Sequence, residues 1–489
     1  MMTQAQSMTS LLFRRKPVEG KDAPGGGAGE PHLKRSIGTF QLTLFGVGAT
    51  VGTGIFIVVP EAISKAGPAV LLAFVIAGAA AGLAAICYAE MASAVPVSGS
   101  SYSYAYATLG EIVAVGIGAC LMLEYGVSAA ATSIGWGQYL NELIGNLFGW
   151  TIPHQLNAAP WGVDDPGWIN LPAVILVFLC GALLIRGASE SALVNTVMVL
   201  IKLGVLLLFA AVCLTAFTSS HFSPFMPEGM SGVTSAAAVI FFTFIGLDAV
   251  STAGDEVKDP QRAMPRAIIG ALIVVISIYL LTAIASIGAQ AWTEFNPDDE
   301  ASLSVLANNV TGSTWVGNLI AAGAVISIFS VTLVVIYGQT RILFAMGRDG
   351  LLPKSFSKVS PKTMVPVNNT VVVCVIIAIL AGFVPIDKLW DLVSVGTLAA
   401  FIVVSVGVII LRRTMPNLPR PFRVPGYPVT PVLSVAACIW ILSGLAPITF
   451  LFFGLWVGAA LIFYLLWGRR HSKLNNPPEE PVSTDKSLS

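Results

Sequence analysis

The sequence contains 489 residues with a formal net charge of zero, of which 55% are hydrophobic and only 11% are charged. Soluble domains carry about 25% charged residues, so the composition excludes a soluble globular protein and indicates an integral membrane protein. The apolar runs are about twenty residues long, as transmembrane helices require, and they lack the alternation of outer-membrane barrel strands.

A polar tail precedes the first apolar segment. Residues 1–36 are rich in glycine and contain no apolar run of the signal-peptide type, which predicts an uncleaved, disordered, cytoplasmic tail. Twelve hydrophobic segments follow, and we expect one transmembrane helix in each. They lie near residues 41–65, 69–94, 111–145, 169–186, 191–217, 231–254, 265–289, 315–344, 368–384, 388–411, 430–446 and 447–467. Residues 468–489 form a second polar tail.

The basic residues indicate the orientation of these helices, because cytoplasmic loops carry the excess of Lys and Arg. With the N-terminus inside the cell, all but three of the 26 Lys and Arg residues fall on the cytoplasmic side. The exceptions are Lys65 and Lys388 on the outer side, and Lys202 within a segment. Both termini are therefore predicted to be cytoplasmic, in a multi-pass protein of the plasma membrane.

The connection between the second and third segments has an unusual composition. Residues 93–110 are polar, rich in tyrosine and free of Lys and Arg. Since tyrosine favours the membrane boundary, a re-entrant or interfacial turn packed within the protein fits this connection better than a free loop does.

The first segment contains four glycines, at Gly46, Gly48, Gly52 and Gly54. Each glycine weakens a helix by about 1 kcal/mol relative to alanine, so a straight helix is unfavourable here. An unwound turn is tolerated in a membrane only where its freed backbone groups face a cavity or a polar ligand. A broken helix at a binding site is one interpretation. A face of small residues that packs closely against another helix is the other.

We single out three ionisable residues within apolar segments as buried candidates, because a charge is costly there and therefore suggests a function. Lys202 lies in the middle of the fifth segment, Glu124 in the third and Asp248 in the sixth. Lys202 is too far from either end of its helix to reach water easily, so it must face the interior of the bundle. A structural ion pair explains any one of them alone, whereas all three together favour a functional site.

The sixth segment repeats the interruption of the first. Gly246, Asp248 and the small residues at 251–254 interrupt an apolar helix. Two interrupted helices, each the first of a set of five, are typical of an inverted-repeat transporter with its site at the membrane midplane. We therefore predict an all-α fold with a ten-helix core, residues 37–411, in which helices 1 and 6 are broken. A basic linker and helices 11 and 12 occupy residues 412–467.

Five motifs occur in order along the chain. They are GVGATVGTGIF, the lysine of VNTVMVLIKL, FFTFIGLDAVSTAGDEVKDPQRAMPRAI, IYGQTRILFAMGRDGLLP and LRRTMPNLPRPFRVPGYP. With these motifs the sequence resembles the amino acid, polyamine and organocation superfamily, and within it the bacterial relatives of the cationic amino acid transporters. The resemblance covers about residues 33–467. It implies a LeuT-like fold of twelve transmembrane helices, a 5+5 inverted repeat plus two C-terminal helices, that moves amino acids by alternating access.

The glycines of the first segment and the resemblance both predict a substrate site in this segment. An unwound turn at Gly52, Thr53 and Gly54 would expose backbone amides at the start of the second half-helix. The positive end of the helix dipole there favours an anionic group, and a substrate carboxylate is its natural occupant. Glycine at positions 52 and 54 would allow the ligand to approach the backbone closely.

The resemblance implies the remaining contacts with an amino acid substrate. Backbone carbonyls of Thr50, Phe242 and Ile245 would bind its ammonium group, and the Phe242 ring either closes the pocket from outside or only packs in the core. At the side-chain end, Glu124 and Asp248 offer negative charge, which a cationic substrate would offset. Similar carriers also move small neutral amino acids, and a carboxylate can instead be protonated or serve the gate, so both substrate classes stay open.

Lys202 concerns the coupling of transport to an ion. In similar proton-coupled carriers, a lysine of the fifth helix occupies the place where sodium-dependent relatives hold sodium between the first and eighth helices. Lys202 matches that lysine, which implies transport without sodium. Buried lysines titrate readily, so reversible loss of its proton could couple substrate movement to a proton. The alternative is a permanently charged strut in a facilitator or exchanger.

Other classes of protein fit the sequence less well. The six cysteines lie in apolar segments and the four histidines in tails and loops, so we expect no enzyme, no metal and no cofactor. The glycines follow no strand, which argues against a nucleotide site, and we expect no nucleic-acid partner. The predicted function is a proton-coupled, sodium-independent secondary active amino acid transporter in the lipid bilayer. An amino acid exchanger, a polyamine antiporter and a non-transporting amino acid sensor are the alternatives, and a small membrane subunit is left open.

Overall fold

The computed structural model describes residues 12–16, 37–52, 54–95, 97, 99–161, 166–295, 302–386, 389–443, 445 and 447–475. This part of the chain is helical, with isolated bridges such as that between Ile37 and Val257 and no named strand. Its helices are α1 (Thr39–Thr50), α2 (Val59–Ala66), α3 (Val70–Ala94), α4 (Ser100–Thr108), α5 (Glu111–Phe148), α6 (Leu171–Arg186), α7 (Ala188–Leu214), α8 (Gly229–Phe241), α9 (Ala249–Thr252), α10 (Pro260–Ala289), α11 (Ser302–Thr311), α12 (Thr314–Arg348), α13 (Val367–Phe383), α14 (Trp390–Thr414), α15 (Val429–Leu442) and α16 (Pro447–Phe463).

Each of the twelve predicted segments contains a helix. Eight helical stretches among the described residues are long and apolar enough to cross a membrane, and one of them, Thr39–Ala94, includes the first two segments. Three further helices, α6, α13 and α15, are apolar but shorter. The prediction of an all-helical membrane protein is therefore confirmed, whereas the count of twelve crossings and the inverted repeat stay predictions.

The first segment is interrupted between α1 and α2. α1 ends at Thr50, Val51 is extended with φ −78° and ψ 100°, and the helix resumes as a π-type turn over Gly54–Val58. The N–H of Ile55 donates to the carbonyl oxygen of Gly52 (3.1 Å), three residues back, instead of continuing the α-helical pattern. The carbonyl groups at the end of α1 are thereby available to side chains of other helices.

The sixth segment is interrupted as well. After α8, a single 3-10 turn over Phe242–Phe244 leads to an extended Ile245 with φ −64° and ψ 144°. Gly246 then has a φ of 95°, a conformation that favours glycine. A Cβ atom on Gly246 would also lie 2.6 Å from the carbonyl oxygen of Ala49, so the two interruptions touch.

The two interruptions lie within the core of the bundle. α1 packs against α7, α9, α10 and α12, and α5 packs against α12 and α14. The connection at residues 93–110 contains α4, all nine residues of which are buried against α5, α14 and α9. The expectation that this connection packs within the protein is confirmed.

The N-terminal region differs from the predicted uniform tail. Residues 12–16 lie in defined contact with the bundle, because the N–H of Lys16 donates to the carbonyl oxygen of Tyr106 (3.1 Å) and the N–H of Glu111 donates to that of Arg14 (2.9 Å). Charged side chains within this short stretch form ion pairs with carboxylates of the bundle. The polar composition of the tail does not predict these contacts. Residues 1–11 and 17–36 lie outside the described residues.

Candidate functional site

The Lys202 ammonium lies at the interruption of the first segment. Its Nζ donates to the backbone carbonyl oxygens of Gly48 (2.9 Å) and Val51 (2.6 Å). The side chain is fully buried, as predicted for a residue that faces the bundle interior. Because the C-terminal end of a helix carries unpaired carbonyl groups and a partial negative charge, it is a favourable place for a cation. Lys202 supplies that cation from α7.

A second polar residue of α7 faces the same way as Lys202. Asn195 precedes it by seven residues, or two helical turns. Its Oδ1 accepts a hydrogen bond from Ser330 Oγ on α12 (2.6 Å), and a Cβ on Gly48 would lie 2.7 Å from the same atom. Asn195 therefore fixes α7 against α1 and α12. Sequence reasoning missed it, although a polar pair at this spacing in an apolar helix was a usable signal.

The Tyr279 hydroxyl connects the two interruptions. Its oxygen lies 2.8 Å from the carbonyl oxygen of Thr50 in the first segment and 2.8 Å from that of Thr243 in the sixth. A hydroxyl has one proton, so it donates to only one of these acceptors at a time. Sequence reasoning missed this residue. The available signal was a tyrosine in the middle of segment 265–289, far from the membrane boundary that tyrosine favours.

The glycines of the first interruption allow neighbouring helices to approach. A Cβ on Gly52 would lie 2.1 Å from Val331 Cγ2 of α12, and a Cβ on Gly54 would lie 2.9 Å from the Cα of Thr243. We expected the ligand to require glycine here, and the structure places protein atoms against both positions. The helix is therefore interrupted here and its glycines also pack against other helices, while a binding site at the interruption stays a prediction. Thr53, the third predicted carboxylate-binding residue, lies outside the described residues.

The predicted ammonium-binding residues lie at the ends of the two interrupted helices. Thr50 uses its Oγ1 to bind the carbonyl oxygen of Gly46 (2.9 Å), while its own carbonyl oxygen accepts from Tyr279. The carbonyl oxygen of Phe242 accepts from the N–H of Ile245 (3.2 Å). The Tyr279 hydroxyl brings carbonyl groups of both segments to one point, and the binding of an ammonium group there stays a prediction.

Asp248 belongs to a buried polar cluster next to the interruption of the sixth segment. Its Oδ2 accepts hydrogen bonds from the hydroxyl groups of Tyr125 (2.7 Å) and Ser100 (3.2 Å), and Ser251 Oγ donates to Ser100 Oγ (2.8 Å). Its Oδ1 has no hydrogen-bond partner among the described residues. The void beside it, bordered also by Tyr88, is too small for an amino acid. A ligand that reaches Asp248 therefore requires the surrounding helices to move.

Glu124 lies next to Tyr125 on α5 and is 1% exposed. Neither carboxylate oxygen has a hydrogen-bond partner in the described part of the chain. The neighbouring Thr397 hydroxyl donates to the carbonyl oxygen of Val393 (3.1 Å) instead. A buried carboxylate without a partner is unfavourable, so a cation or a proton would stabilise it. Among the residues that the structure describes, no group of His, Cys, Asp and Glu could hold a metal ion.

Sequence reasoning also missed two ion pairs, one buried and one partly buried. Arg341 Nε donates to Glu256 Oε1 (2.9 Å), and the guanidinium lies 4.0 Å from the centre of the Tyr337 ring. Glu90 on α3 likewise accepts from Arg412 Nε (2.8 Å). Arg341 and Glu90 fall inside predicted segments, so their charges were visible in the sequence. Each pair joins residues that lie far apart along the chain.

Comparison with known proteins identifies the family of this chain. The profile of the amino acid permease family matches residues 37–467. The chain is 43% identical to the branched-chain amino acid permease BcaP of Bacillus subtilis, over 96% of this chain and 100% of that protein. It is 42% identical to the methylthioribose transporter of the same organism, over 95% and 100%. It is 36% identical to the vacuolar cationic amino acid transporter 4 of Arabidopsis thaliana, over 79% and 65%. The chain therefore belongs to the amino acid permease family, within the amino acid, polyamine and organocation superfamily.

Proposed function

We propose that this protein is a secondary active amino acid transporter of the plasma membrane that is coupled to protons and independent of sodium. Twelve helices would cross the membrane, with both termini in the cytoplasm. The observation that carries the proposal is the buried Lys202 ammonium, held by carbonyl oxygens of Gly48 and Val51 where the first helix is interrupted. A second cation beside it would meet like charge, which argues against a sodium ion.

The protonation of Lys202 offers a mechanism of coupling. A charged ammonium makes hydrogen bonds roughly twice as strong as those of a neutral amine, so loss of its proton weakens the attachment of α1 to α7. The interrupted segments touch at Gly54 and at Gly246, and Tyr279 binds carbonyl groups of both. A change at α1 is therefore passed to the sixth segment, and both would rock against the rest of the bundle.

For the substrate, we propose a cationic amino acid, with small neutral amino acids as further substrates. Both carboxylate oxygens of Glu124 and Oδ1 of Asp248 lack hydrogen-bond partners in the described part of the chain, which supports a cationic side chain, because a guanidinium or an ammonium group would supply these hydrogen bonds. A branched-chain amino acid is the second candidate, favoured by the 43% identity with BcaP over the full length of that permease.

Reconstitution of the purified protein into liposomes tests the proposal. We expect an inward proton gradient to drive uptake of labelled arginine or lysine, and replacement of sodium by choline to change nothing. Alanine, leucine and methylthioribose serve as competitors that rank the substrate classes. Uptake that requires sodium and ignores pH would refute the role of Lys202. Uptake only into liposomes preloaded with substrate would indicate an exchanger, and binding without any transport would indicate a sensor.

A further inference from the structure

The short basic segment at residues 12–16, here termed the N-terminal latch, is seated on the bundle where α5 begins and α12 ends. Arg14 Nη2 donates to Glu111 Oε2 (2.9 Å), and Lys16 Nζ donates to Asp349 Oδ1 (2.6 Å). The side chains of Glu111 and Asp349 are 0% and 7% exposed. Gly110 lies directly beneath the latch, since a Cβ there would be 2.7 Å from backbone atoms of Phe13. The seat is therefore shaped for this segment.

Asp349 is the point at which both ends of the described chain meet. Besides Lys16, its carboxylate accepts from the Tyr102 hydroxyl (2.8 Å), and its backbone carbonyl oxygen accepts from the N–H of Lys473 (3.1 Å). Arg14 Nη1 also donates to Asn475 Oδ1 (2.7 Å). The latch thus binds α4, α5, the loop after α12 and the C-terminal segment together.

α4 connects the latch to the buried acidic cluster. Tyr106, near the C-terminal end of α4, accepts the backbone bond from Lys16, and Tyr102, two residues after Ser100, donates to Asp349, the partner of Lys16. At the first residue of α4, the Ser100 hydroxyl donates to Asp248. We propose that the docked latch holds α4 in place and so stabilises the conformation in which Asp248 is enclosed. Its release favours opening of this side of the bundle.

Hydrogen exchange of the full-length protein tests the latch. In the double variant Arg14→Gln/Lys16→Gln, we expect amides of residues 100–108 to exchange about tenfold faster, since two partly exposed ion pairs are lost. Arg15→Gln is the control, because it removes one positive charge from the exposed side chain between them, which has no role in the proposed seat. Unchanged exchange in the double variant would refute the latch. Equal acceleration in the control would also refute it and would indicate attraction of a basic tail to lipid headgroups.

A variant that lacks residues 1–16 provides an independent test of the same contacts. We expect the same faster exchange in α4, and a synthetic peptide of residues 1–16 should restore protection when added in excess. Failure of the peptide to restore protection would contradict a specific seat. The effect on transport, a several-fold change in the initial rate of uptake, rests on the proposed function. Exchange needs neither substrate nor gradient, so the two proposals can fail separately.

Discussion

Replacement of Lys202 by methionine tests the proposed coupling site most directly. Methionine keeps an unbranched apolar side chain but leaves the carbonyl oxygens of Gly48 and Val51 without the donor that now lies 2.9 and 2.6 Å away. Each unpaired buried acceptor costs about 1–3 kcal/mol, so the loss of both predicts roughly 2–6 kcal/mol against the present packing of α1 on α7. Removal of a buried charge offsets part of this cost.

The assay compares Lys202→Met with Lys202→Arg in proteoliposomes. Arginine keeps the charge and the donors but does not release its proton. We expect neither variant to accumulate substrate in response to a proton gradient, whereas Lys202→Arg should still exchange internal for external substrate. Thermal unfolding and gel filtration show whether each variant is folded. Accumulation by folded Lys202→Met that matches the unmodified protein would refute the assignment of coupling to this residue.

Three further substitutions test the rest of the site. Glu124→Gln should weaken arginine binding about tenfold and leave alanine binding unchanged. Competition assays measure both affinities, and an equal loss of the two would contradict a contact between Glu124 and the substrate side chain. Tyr279→Phe removes the hydroxyl between the two interruptions, so we expect a loss of about 1–3 kcal/mol in stability and weaker binding of every substrate. An unchanged thermal midpoint together with an unchanged affinity would contradict this role. Gly52→Ala should destabilise the protein by about 1–3 kcal/mol through overpacking, and Val331→Ala in the same chain should restore its thermal midpoint. If it does not, the glycine is required for another reason.

The two helix interruptions and the burial of Lys202 were predictable because local physical rules dictate them. Glycines that weaken a helix identified the first interruption, and Gly246 identified the second. Lys202 had to face the interior, since its position in an apolar helix offers no route to water. These arguments need only the chemistry of a residue and its distance from the ends of its segment.

The partners of these residues were not predictable in the same way. Tyr279 binds carbonyl groups 229 and 36 residues away along the chain, and Lys16 binds a carboxylate 333 residues away. Such pairings depend on how the helices pack, which the pattern of a single segment does not contain. The sequence likewise did not reveal that Val331 approaches Gly52 from a distant helix, and the approach of a ligand to this glycine stays a prediction.

The close packing of the first interruption has a consequence for the transport cycle. A break that faced an open cavity could change conformation alone, but this one contacts Val331 on one side and Thr243 on another. Because protein interiors are close-packed, such a segment moves only together with its neighbours. Lys202 fixes the first interruption to α7, and Tyr279 holds both interruptions to α10. Loss of the proton from this one buried ammonium would then bias two half-helices at once, which is the form of movement that the proposed alternating access requires.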